Sequence, residues 1–209
     1  MTEFKIKHIK NLNDAKNIFN FISNAFFMDG MKVEEEFLPL HELYDIMLDN
    51  LSRDKDLQFY GVLNKNIVSA IVCSPAPQEK TTLVINIIHV RNNIRQMGIG
   101  NYMLAQAEML AKRKGYKKIR IICHNNFQMF FLKHNYKLFL ELAIPETLPM
   151  EDVLKINNLN LQYSSLIKFN DINFVLYPVD QTDNKIKYYI SRNTPLVKAN
   201  YILEKTFLN

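Results

Sequence analysis

The chain has 209 residues, 48% of them hydrophobic and 22% charged, which supplies one good core or one core with a small annex and excludes a disordered polymer. Two cysteines, Cys73 and Cys123, lie in strand-like apolar runs and read as small buried thiols in a reducing compartment, not as a disulfide framework. The formal net charge is +5, and no apolar run reaches the roughly 18 residues of a membrane span, so the expectation is a cytoplasmic protein that does not span a membrane.

Phe4 to Ile9 alternates and predicts a strand with one wet face. Asn13 or Asp14 can cap a helix carrying Ile18, Phe19, Phe21 and Ile22, and a second helix holds Leu40, Leu43, Tyr44, Met47, Leu48 and Leu51. Between them Gly30 is a breaker and Glu34 to Glu36 form an acidic run. Leu57 to Leu63 and Ile67 to Cys73 flank Asn64-Lys65-Asn66, a hairpin signal, with Pro75 and Pro77 closing the second strand.

Val84 to Val90 (VINIIHV) is β-branched and apolar apart from Asn86 and His89, the pattern of a strand buried on both faces. Polar residues 91–97 follow, then Gly98-Ile99-Gly100, then Met103, Leu104, Ala107, Leu110, Ala111 and Lys114 at helical spacing, with Gly115 as the stop. Glycines at such a junction remove Cβ atoms, so backbone N–H groups can close around an anion at the positive end of a helix. Residues 91–120 hold eight basic side chains (Arg91, Arg95, Lys112, Arg113, Lys114, Lys117, Lys118 and Arg120) against Glu108 alone, a local charge of +7. A polyanionic ligand suits that charge. The plainer alternative is a solvated helix end whose cations complement the dipole, and nucleic acid is disfavoured because no aromatic interleaving or recognition motif accompanies the basic residues.

Val90, Arg95, Gly98 and Gly100 read V-x4-R-x2-G-x-G, and this resembles the acyl-CoA signature of the GNAT (Gcn5-related N-acetyltransferase) superfamily. The following order fits the resemblance: a strand over Lys117 to Cys123, Asn125-Asn126, a short aromatic helix from Phe127 to Lys133, and a strand from Tyr136 to Leu142. Aligned without gaps on the family's pattern, His124 falls on an Asn, Phe131 on a Tyr, Asn135 on a Gly and Tyr136 on a Phe. The resemblance covers about residues 1–144. It implies an α/β fold with a mixed central β-sheet flanked by helices as the acyl-CoA-binding core, leaving residues 145–209 as a C-terminal α+β extension.

The resemblance further implies acetyl-CoA as co-substrate, held by Ile88, His89, Val90, Arg95, Gln96, Met97, Gly98, Ile99, Gly100, Asn101, Asn126 and Phe131, with no metal. It makes the N–H of Val90 the donor to the thioester oxygen. Catalytic groups depart from the family: His89 is the candidate base and Asn86 a candidate holder of a water, whereas Phe131 has no proton to give a leaving thiolate. For both polar residues the plainer alternative is a structural role in the strand. The expected reaction is direct acetyl transfer to a primary amine, and a non-catalytic acyl-CoA-binding module is the alternative. Glu34 to Glu36 with Glu42, Asp45 and Asp49 suit a cationic acceptor, or else merely solvate a helix start.

Within 145–209, Pro145 to Asn157 predicts a short helix, Ile172 to Val179 and Lys185 to Ser191 predict strands around a turn at Asp180 to Asn184, and Pro195 to Phe207 predicts a closing helix. Two roles stay open: Ile172 to Val179 as the last strand of the core, or a small annex that covers the acceptor site or makes a homodimer.

Overall fold

A computed structural model describes residues 3–28, 39–122, 125–159, 163–179 and 184–207. The chain forms two compact units, one of Met1–Ala76, Thr81–Ile119 and Phe207–Asn209, the other of Pro77–Lys80 and Arg120–Thr206. The class is mixed α/β, with sheet and flanking helices.

In the first unit the order is β1 (Phe4–His8), α1 (Leu12–Met28), α2 (Leu40–Arg53), β2 (Gln58–Leu63), β3 (Asn66–Ala76), β4 (Glu79–Val90) and α3 (Ile99–Arg113), with strands adjacent as β1-β2-β3-β4. Helix α1 starts two or three residues earlier than its sequence suggests. Asn11 Oδ1 accepts from Asp14 N–H at 2.9 Å, while Asp14 Oδ2 accepts from Lys10 N–H at 3.0 Å, so Asn11 is the cap and Asp14 lies inside the first turn. The β2–β3 turn is Asn64-Lys65, both with positive φ (49° and 67°), which matches the strand twist that a two-residue hairpin requires. Pro75 does not close β3 but lies within it. Pairing with β2 stops at Val72, so the missing N–H of Pro75 costs no bond on that side.

The two faces of this unit are distinct. Ala70 and Val72 join Ile18, Ile22, Leu43 and Met47 in a core under α1 and α2, with Tyr60 and Ile87 packed against it. Phe4 meets Tyr102 of α3 edge-on at 5.7 Å on the other face. Strand β4 is less buried than its composition predicts: Leu83 and Ile85 are enclosed, whereas residues 86–90 are half-buried, because the core beneath the two helices ends at Ile87.

The second unit takes in the rest of β5 (Lys118–Ile122), then α4 (Asn125–Leu132), β6 (Lys137–Pro145), α5 (Met150–Ile156), β7 (Ser165–Phe169), β8 (Ile172–Pro178), α6 (Asn184–Asn193) and β9 (Lys198–Thr206), with strand order β5-β9-β6-β8-β7. Two sequence expectations are reversed here. Lys185 to Ser191 belongs to helix α6, in which Ile190 is enclosed while Tyr188 and Tyr189 face solvent, so its apparent alternation is the accident of one apolar stripe. The segment Pro195 to Phe207 contains strand β9 instead of a helix. It lies inside the sheet between β5 and β6, with helices α4 and α6 packed against it, and Tyr201 to Glu204 are consecutively buried with no period of two. Ile172 to Val179 is a strand, β8, paired antiparallel with β6 and β7, and β9 is the strand next to β5. No helix among the described residues is long and apolar enough to cross a membrane.

Candidate functional site

The turn after β4 is tight and strained. Gln96 and Gly98 both have left-handed backbones, with φ of 76° and 78°. Glycine adopts that conformation freely, whereas for Gln it costs about 1–2 kcal/mol, a strain that functional turns tend to keep. Arg95 N–H donates to Asn92 at 3.2 Å, and the Arg95 side chain folds back so that Nε donates to the Val90 carbonyl at 3.1 Å.

Gly98 is the N-cap of α3 and supplies no side-chain cap. The first intrahelical bond runs from Tyr102 N–H to the Gly98 carbonyl at 3.0 Å, so the N–H groups of Ile99, Gly100 and Asn101 have no acceptor within the helix. They end a helix dipole beside Arg95. This arrangement fits a phosphate group: donors in a row, positive potential, and no Cβ at 98 or 100 to fill the approach. Met97 is 63% exposed, and Gln96 and Asn101 are also exposed, whereas Ile99 turns inward to the α3 core.

At the end of β4, Asn86 Nδ2 donates to Ser74 Oγ of β3 at 2.9 Å. His89 meets Phe21 of α1 with ring centroids 5.4 Å apart, and the Arg91 guanidinium lies over the same ring at 5.5 Å. Arg91 N–H donates to the Val68 carbonyl at 2.9 Å, fixing this end of the strand to β3. In the sequence Phe21 reads as plain core and Arg91 as one of eight basic residues. The signal available was the two-residue spacing of His89 and Arg91, which puts both on one side of extended chain.

The basic stretch divides. Lys112, Arg113 and Lys114 lie at the far end of α3, about 20 Å along the axis from Gly98 at 1.5 Å per residue. Lys114 Nζ reaches Asp54 at 2.7 Å, Arg113 reaches Asp56 at 3.2 Å, and Lys112 covers the Phe207 ring at 5.0 Å. These cations serve a helix end, and of the exposed basic residues before α3, Arg95 folds onto the glycine turn while Arg91 lies over the Phe21 ring of α1. Glu42, Asp45 and Asp49 occupy the exposed face of α2, opposite Leu43 and Met47, with Asp49 bridging to Arg53 at 2.8 Å. Glu34 to Glu36, Cys123, His124 and most of the Asp180 to Asn184 turn lie outside the described residues, as does the side chain of Asn126 in α4.

In the second unit Phe131 is 2% exposed and packs edge-on against Phe130 at 5.0 Å and Tyr136 at 5.6 Å. Asn135 has φ of 64°, the left-handed stop of α4, at the position aligned with the family's glycine. Arg120, 3% exposed, is set among Glu79, Glu141 and Glu204. Cys73 in the first unit is free and fully enclosed, and burial pushes its thiol up to about 12, so it is no nucleophile.

A half-buried strand running through a left-handed glycine turn into an uncapped helix, within a mixed α/β fold, makes an anion-binding junction, and solved acetyltransferases share the fold. N-acetylglutamate synthase from Neisseria gonorrhoeae, solved with coenzyme A and N-acetyl-glutamate, aligns with a TM-score of 0.55 at 12% identity over 100% of this chain, which spans 36% of that one. The PaiA N-acetyltransferase from Thermoplasma acidophilum, solved with coenzyme A, gives 0.52 at 12% over 85% of this chain and 99% of its own. Diaminobutyrate acetyltransferase EctA from Paenibacillus lautus, solved with L-2,4-diaminobutyric acid and coenzyme A, gives 0.50 at 15% over 88% and 100%. At such identities the likeness is one of fold. No curated protein matches the sequence. The family model for the Acetyltransferase (GNAT) family matches residues 19–135, more than half of the chain, and the chain belongs to that family.

Proposed function

We propose that the protein is an acetyl-CoA-dependent N-acetyltransferase that moves the acetyl group directly to a primary amine. The observation that carries this reading is the uncapped start of α3 behind left-handed Gly98, inside the V-x4-R-x2-G-x-G run of the family-matched segment. When bound, acetyl-CoA supplies a thioester carbonyl open to attack by an amine. The N–H groups of Ile99, Gly100 and Asn101 hold phosphate, with the Arg95 charge beside them. The Val90 N–H stabilises charge developing on the carbonyl oxygen. His89 takes the proton of the amine directly or through a water, and Asn86, bonded to Ser74, keeps that stretch of β4 in place.

The test has two stages. Calorimetric titration with acetyl-CoA shows binding that Gly100→Val weakens, because valine puts bulk into the open helix start; unchanged affinity refutes the binding site. Amine-dependent release of free CoA across a broad acceptor panel then establishes catalysis, and binding without any release refutes it. His89→Ala lowers the rate and removes its rise through the histidine pH range, whereas an unaltered pH profile returns His89 to a packing role.

A further inference from the structure

We infer that Arg91, held over the Phe21 ring beside His89, is an anion-recognition residue for the acceptor, so that the amine acetylated by this protein carries a carboxylate. This rests on the acetyltransferase reading above.

The first support is preorganisation. The Arg91 N–H is tied to the Val68 carbonyl, and the guanidinium lies 5.5 Å from the Phe21 centroid. A guanidinium held over an aromatic ring is partly ordered before a ligand arrives, and its fork of donors can meet a carboxylate in two parallel hydrogen bonds. Arg91 is solvent-exposed, and among the described residues no carboxylate forms an ion pair with it.

The second support is placement. Phe21 belongs to α1, and Ala70, Val72 and Ile87 mark the sheet face that α1 and α2 cover. The glycine turn leads instead into α3, which meets Phe4 on the opposite face. Arg95 is engaged with the Val90 carbonyl. The two arginines therefore divide the work: Arg95 belongs to the phosphate turn, and Arg91 faces a ligand on the α1 side, next to the candidate base His89. The α2 acids do not counter it, since Glu42, Asp45 and Asp49 lie on the outer, exposed face of that helix.

The test uses the whole chain and acceptors offered in pairs, amino acids and dipeptides each with a free carboxylate and as the carboxamide, followed by CoA release. Carboxylates exceed their amides by about tenfold or more in kcat/KM, the value of one good charge-assisted contact. Arg91→Met, which keeps apolar contact with Phe21, raises KM for the carboxylate by a similar factor, abolishes the difference within each pair, and leaves calorimetric acetyl-CoA affinity and Tm unchanged. Arg91→Lys restores part of the preference. Equal use of both members of every pair overturns the inference alone. Loss of acetyl-CoA affinity in Arg91→Met also overturns it, because the guanidinium then serves the cofactor. Failure of the wild-type protein to bind acetyl-CoA overturns the acetyltransferase reading and this inference together.

Discussion

The Nε of Arg95 donates to the main-chain carbonyl of Val90 across 3.1 Å, which gives the fixed spacing of these two residues a structural meaning. The side chain closes the loop that it begins. Because the bond is exposed, its net value is modest, about 0.5–1.5 kcal/mol. Arg95→Ala should weaken acetyl-CoA binding by about tenfold through the combined loss of this closure and of the local positive charge, and Arg95→Lys should recover only the charge. Calorimetric titration of both variants separates the two contributions.

Left-handed backbone makes a second set of outcomes specific. Nothing lies within 4 Å of a Cβ built at Gly98, so Gly98→Ala should cost about 1–2 kcal/mol through backbone conformation alone, and Gly98→Asn less. Asn135 offers the reverse case. Asn135→Gly should be neutral or slightly stabilising and Asn135→Val destabilising by at least about 1 kcal/mol, read from urea unfolding midpoints.

The enclosed Glu141 beside Arg120 should contribute to the pH dependence of stability. Burial holds the Glu141 carboxyl above the usual carboxylate range, with Arg120 opposing the rise and Glu204 adding to it. A carboxyl raised on folding contributes stability that is complete below its unfolded pKa and is lost as pH rises through its folded pKa. Glu141→Gln should therefore flatten the decline in stability from about pH 4 towards neutrality, followed by urea melts at several pH values. Arg120→Met should cost about 3–5 kcal/mol at neutral pH, since it leaves Glu79, Glu141 and Glu204 without their cation.

Cys73 should be silent to thiol reagents in the native protein. With its thiol enclosed and pushed up to about 12, labelling in a Cys123→Ser background should appear only as denaturant unfolds the chain. Stoichiometric labelling of the native protein at neutral pH would contradict the packing of β3.

The sequence by itself determined whatever local chemistry enforces. Gly115 ends α3 with φ of 79°, and the N–H of Tyr116 bonds the Ala111 carbonyl at 3.0 Å, as the glycine after a helical run predicts. The Asn64-Lys65 turn and the glycine turn at 98–100 were legible for the same reason, because each states a backbone requirement within a few residues. Tertiary structure alone decided features that depend on partners distant in the chain. Strand β9 has consecutive buried residues because it lies inside the sheet between β5 and β6 with helices α4 and α6 packed against it, and Ile190 of α6 is enclosed. The same physics governs the candidate site. The glycine turn was readable as a motif, whereas the pairing of Lys114 with Asp54, sixty residues away, and the meeting of His89 and Arg91 at the Phe21 ring were not. Composition counts charges and rings, but only the packed chain decides which of them meet.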